Sequence, residues 1–210
     1  MGVIYKNVNY DYCAMLIISI LIITTILRRM IKGKVNRSFL EVLVVAWLTI
    51  LFDIWAVHLD NLGVQQVFTK YVAHMGYLVL HSLEMPFYIT YLVAMTDTWH
   101  LFKAKRLLAF LSSFPVLVIT GLILTSPATK WIFYINAQYE YTRGKYFTLL
   151  YVCAVIYLIY GLVYLGIHRK MFRRRYLVSL GIVFVAEIAG VAIQYFYPTS
   201  LVEVLCMAIG

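Results

Sequence analysis

An all-α, polytopic bundle of transmembrane helices is the fold class this sequence predicts, and three observations predict it. Of 210 residues, 63% are hydrophobic and 13% charged, with a mean hydropathy of +0.85, whereas soluble domains carry about 25% charged residues. Apolar runs recur at the length a bilayer demands, roughly 20 helical residues for a hydrocarbon core about 30 Å thick. Basic residues collect in alternate connections, the pattern that orients membrane helices.

The expected spans are Tyr10–Leu27, Phe39–Val57, Tyr71–Met95, Leu107–Leu124, Tyr146–Ile167 and Tyr176–Gln194, with a seventh starting at Leu201 and incomplete at Gly210. The first ends on Arg28 and Arg29, a positive stop-transfer flank that distinguishes it from a cleavable signal peptide. The second carries Asp53 toward its far end, with His58 and Asp60 beyond at the surface. The third is the most polar and, like the fourth, holds a proline (Pro86 and Pro115) expected to kink it. The fifth is rich in tyrosine, and the sixth follows the run Arg173-Arg174-Arg175. Residues 201–210 rise only about 15 Å as a helix, half a membrane, so the seventh is expected to continue in a longer protein. The whole of 1–210 reads as one transmembrane domain.

Orientation follows from lysine and arginine, which are retained on the cytoplasmic side. Arg28, Arg29, Lys32, Lys34 and Arg37, then Lys103, Lys105 and Arg106, then Arg169, Lys170, Arg173, Arg174 and Arg175 fall on one side, thirteen of eighteen. Lys6, Lys70, Lys130, Arg143 and Lys145 fall on the other. The N-terminus is therefore expected outside, in a multi-pass protein of the cell membrane. A net charge of +9 held in short juxtamembrane loops suits anionic lipid headgroups and argues against nucleic acid.

Ionisable side chains inside a bilayer are costly and mark function by default. His74, Tyr77, His81, Glu84, Tyr88 and Tyr91 recur at intervals of three and four, which puts them on one face of the third span. That face lines either a cavity or a polar network between helices. Asp53, Glu187 and Gln194 are the partners expected from the second and sixth spans, and Glu203 lies at the start of the seventh. Asp53, His74, Tyr77, His81, Glu84, Glu187 and Gln194 are thus the candidate ligand contacts. The outer connection 125–145, with Trp131, Phe133, Tyr134, Tyr139 and Tyr141, reads as an interfacial aromatic belt, the alternative being a cap over a pocket.

Catalytic and cofactor signatures are missing. His81 and Glu84 have the spacing that lets two side chains reach one ion, but no second pair accompanies them, so no metal is expected. There is no GxSxG, HExxH or glycine-rich phosphate loop. Cys13, Cys153 and Cys206 stand apart and read as packing residues. No enzyme activity and no cofactor are expected of this chain.

The stretches "KYVAHMGYLVLHSLEMPFYITYLVAM", "YEYTRGKYFTLLYVCAVIYLIYGLVYL" and "RRRYLVSLGIVFVAEIAGVAIQYFYPTSLVEV" resemble the seven-helix N-terminal sensory module of Firmicute GGDEF and GGDEF–EAL proteins, which turn over cyclic di-GMP. The module is similar to the seven-helix region of certain membrane histidine kinases. Tyr141–Gly144 and Ile193–Pro198 carry most of the likeness. The resemblance implies a receptor domain that binds an extracellular or membrane-borne cue, a small molecule or lipid-like ligand, and signals through its last helix to a cytoplasmic output, as a homodimer. A small transporter or channel is the alternative class, and an intramembrane enzyme built on His81 and Glu84 the third. A transporter would show paired, broken helices in two related halves, and no such repeat is visible.

The topology is open to direct test. With the natural cysteines replaced, a single cysteine near Gln138 should react with an impermeant thiol reagent applied to intact cells. One near Lys34 should react only after permeabilisation, and the reverse pattern would refute the orientation.

Overall fold

Helices dominate because an apolar environment leaves backbone amides no partner except their own carbonyls. The computed structural model of the protein describes residues 8–27, 33–63, 65–98, 106–172 and 174–196. Six long helices are present among them: α1 (Asn9–Leu27), α2 (Lys34–Asn61), α3 (Val67–Thr96), α4 (Arg106–Thr129), α5 (Thr148–His168) and α6 (Arg174–Phe196). They match the first six expected spans and extend most of them by a few residues at either end. The seventh span lies outside the described residues. Four helices are long and apolar enough to cross a membrane, namely α1, α2, α3 and the run from Thr148 through α5 to Met171.

Polar side chains within these helices are mostly satisfied locally. The hydroxyls of Ser19, Thr24 and Thr25 donate to the carbonyls of Met15, Ile20 and Leu21, one turn back. Thr90 does the same to Pro86, at 3.0 Å, and α3 continues through that proline as α4 does through Pro115.

α3 is the central element, packing on α2, α4, α5 and the segment after α4. The larger core joins Leu78, Leu92 and Val93 of α3 to Ile119 and Ile123 of α4, Tyr157 and Tyr164 of α5, and Phe184 of α6. A smaller core lies between Ala14 and Ile18 of α1 and Leu43, Ala46, Ile50 and Ile54 of α2. The rest of the molecule is apolar on the outside. α5 presents Leu149, Val152, Ile156, Ile159, Val163 and Ile167 as one exposed stripe, and α1 presents Leu16, Ile20, Ile23 and Leu27. Soluble monomers rarely show such large contiguous apolar faces, whereas lipid-facing helices require them.

The connection between α4 and α5, which carries the aromatic residues of the outer connection, is a two-stranded antiparallel hairpin. β1 (Phe133–Ile135) pairs with β2 (Tyr141–Arg143) in the register Phe133↔Arg143, Tyr134↔Thr142 and Ile135↔Tyr141. Asn136 makes its turn: the side-chain oxygen accepts the amides of Gln138 and Glu140 at 3.0 and 2.9 Å. Phe133 and Ile132 are fully buried, so the hairpin is folded down onto the bundle rather than standing off it.

Glycines set the closest helix contacts. A Cβ at Gly76 of α3 would meet the Phe52 ring of α2 at 2.2 Å. Gly76→Ala should therefore destabilise the bundle by about 1–3 kcal/mol as overpacking, despite the gain of about 1 kcal/mol in helix propensity. Denaturation in detergent of Gly76→Ala with and without Phe52→Ala measures this. The penalty should shrink when the ring is gone.

Candidate functional site

The polar residues of α3 divide into three groups along its length. At its start, Lys70 is 1% exposed. Sequence reasoning counted it as an outer loop charge. Instead it points into the protein, where its Nζ donates to the carbonyl of Tyr139 at 2.6 Å and lies 3.5 Å from Oδ1 of Asp60 at the end of α2. One turn further, His74 Nε2 lies 3.4 Å from the same Asp60 oxygen. Its ring stacks on Tyr141 with centroids 4.4 Å apart. Tyr71, between them, accepts the amide of Ile135 on its hydroxyl at 3.2 Å and packs on Phe133. Helices α2 and α3 and the hairpin thus converge on one buried ionic cluster. The burial of Tyr141 raises its phenol pKa above the ordinary value, outweighing the opposing pull of Arg143.

The second group lies deeper. Tyr77 stacks on His81, centroids 5.7 Å apart and rings nearly parallel. His81 Nδ1 lies 3.3 Å from Oε2 of Glu84. Glu84 is 3% exposed, and among the described residues its oxygens accept no hydrogen bond of good geometry. The side chains of this face make their contacts in separate groups along the helix. His74 belongs to the hairpin cluster, while Tyr77, His81 and Glu84 form their own. Below them Tyr88 meets Phe184 of α6 edge-on and Tyr91 meets Phe39 of α2, so the lower part of the face is aromatic packing.

At the opposite end from the hairpin, the hydroxyls of Thr96 and Thr98 both hydrogen-bond the Tyr164 hydroxyl. His168 stacks on that ring. This polar knot locks the end of α3 to α5.

Asp53 is 4% exposed, as its depth in α2 suggested, but it sits on the side of α2 that meets α1, in sequence with Leu43, Ala46 and Ile50. Asp11 of α1, which sequence reasoning passed over, is completely buried on the facing side. Glu187 and Gln194 belong to α6, and their side chains, like Glu203, lie outside the described residues. Among the described residues no three His, Cys, Asp or Glu side chains are grouped to hold a metal.

One signal for the missed lysine was available. Lys70 precedes His74 by four residues, so it continues the 74–77–81–84 face by one turn. No protein-family model, curated protein or solved structure matches the chain, and its site is interpreted from its own geometry.

Removing one partner of a buried ion pair leaves the other charge stranded, at about 3–5 kcal/mol. Lys70→Met should cost that order of stability and free the hairpin, read as faster proteolysis within residues 133–143. Lys70→Arg should retain most of both. Equal behaviour of Lys70→Met and wild type would show that the cluster does not hold the hairpin.

Proposed function

We propose that this chain is the sensory transmembrane domain of a signalling protein, with its N-terminus and the hairpin outside the cell and the Lys34 and Arg169 end in the cytoplasm. The observation that carries this reading is the buried polar face of α3. Asp60, Lys70 and His74 beneath the hairpin continue into Tyr77, His81 and Glu84, inside a bundle whose exterior is apolar. Such a face is expensive to bury unless it is used.

In this proposal a small-molecule or lipid-like cue enters on the hairpin side and binds along α3, with Glu187 and Gln194 as contacts from α6. The Lys70 bond to Tyr139 makes the hairpin and α3 respond together. A ligand that fits one arrangement of that pair better than the other shifts the packing of α3, and no ligand can shift it by more than its difference in affinity. The change passes through a seventh helix to a cytoplasmic output, for which the resemblance implies a cyclic di-GMP enzyme, and homodimerisation is part of the same reading.

Glu84 is the residue to test, because Glu84→Gln keeps the shape and removes the charge. In the full protein bearing this domain, Glu84→Gln should change signal output or its dependence on the cue, with membrane insertion unaltered. Wild-type output and wild-type response together would reduce Glu84 to a packing residue and sink the pocket.

A further inference from the structure

Asp11 and Asp53 stand on facing stripes of the α1–α2 interface. On α1 the buried positions are Asp11, Ala14, Ile18 and Thr25. On α2 they include Leu43, Ala46, Ile50, Asp53 and Val57, at intervals of three and four. Two hydrogen bonds fix the register of the antiparallel pair. Trp47 Nε1 donates to Ser19 Oγ at 3.0 Å, and the Tyr12 hydroxyl and His58 Nε2 share a bond of 2.8 Å. With that register Asp11 and Asp53 lie within about one helical turn of each other.

Asp11 is 0% exposed, and neither of its carboxyl oxygens has a hydrogen-bond partner among the described residues. A bare carboxylate in such a place is among the costliest groups a protein can bury. Tyr10, Tyr12 and Cys13 flank it on its own helix, and α2 offers Asp53, His58 and Asp60 at this end. His58 is engaged by Tyr12 and Asp60 by Lys70 and His74. What Asp11 lacks is one positive charge.

We propose that Asp11, with Asp53 facing it, forms a binding site for one small monovalent cation, a proton or a sodium ion in its place, and that this cation holds α1 against α2. The buried charge calls for a single positive charge, which a proton supplies on one carboxyl oxygen, whereas a divalent ion normally takes six or more oxygens and two carboxyls supply at most four. α1 makes its principal contacts with α2 alone, so loss of the cation weakens the docking of one helix and leaves the larger core intact. A cation at Asp11 requires no sensory role for the bundle.

Dicyclohexylcarbodiimide, an apolar reagent that attacks carboxylic acids only when protonated, tests this on the unaltered chain in detergent. The peptide containing Asp11 should gain the adduct in choline chloride buffer at mildly acidic to neutral pH. Suppression by sodium chloride at equal ionic strength identifies sodium as a competing occupant, and an adduct indifferent to sodium identifies the proton alone. No adduct at Asp11 in choline buffer at any of these pH values overturns the site. A second measurement uses thermal unfolding: the midpoint should rise with acidification or with sodium in wild type, by the usual linkage of ligand to fold. Asp11→Asn should lose that response, and a response unchanged in Asp11→Asn would equally overturn the proposal.

Discussion

An ammonium group at 1% exposure must have oxygens around it, and where Lys70 finds them governs the hairpin end of this molecule. One oxygen comes from the last turns of α2, another from the backbone of the hairpin turn. Neither element would otherwise have reason to sit over the start of α3, because the hairpin is only three residue pairs long and a lone hairpin is marginal in water. The ion cluster and the buried Phe133 together supply what strand pairing alone does not. His74 then lies between Asp60 and Tyr141.

From the hairpin end downward the character of α3 changes with depth. Ionic contacts give way to a stacked Tyr77–His81 pair and its carboxylate, then to aromatic rings against α2 and α6, and finally to the hydroxyl knot around Tyr164. The gradient places the residues hardest to bury nearest the hairpin and the best satisfied at the opposite end. Glu84 is the exception, a carboxylate at mid-helix with a histidine beside it and little else.

The six described helices could be read from the sequence to within a few residues because span length is dictated by bilayer thickness, a constraint outside the protein. The burial of Glu84, His74 and Asp53 was legible for a similar reason, since a polar group in an apolar run has nowhere else to go. The hairpin was not, because its strands are three residues long and its pairing is secured by a lysine more than sixty residues earlier. Counting Lys70 toward the loop charges treated position near a helix end as exposure. Asp11 escaped notice for the same reason: it stands in the first turn of α1, and only the docking of α2 buries it. Spacing correctly placed His74 and His81 on one face, but it carries no information on which neighbours are present at each height.

The two apolar cores share no buried residue. Mechanically, the described bundle is a block of five helices with a strut on its flank, fastened by two hydrogen bonds and a strip of small and branched side chains. The exposed Leu16–Leu27 stripe belongs to that strut, which packs chiefly on α2. α2 in turn ends in the Asp60 carboxylate that Lys70 and His74 hold. The strut and the ionic cluster therefore meet through α2, one along its flank and the other at its end.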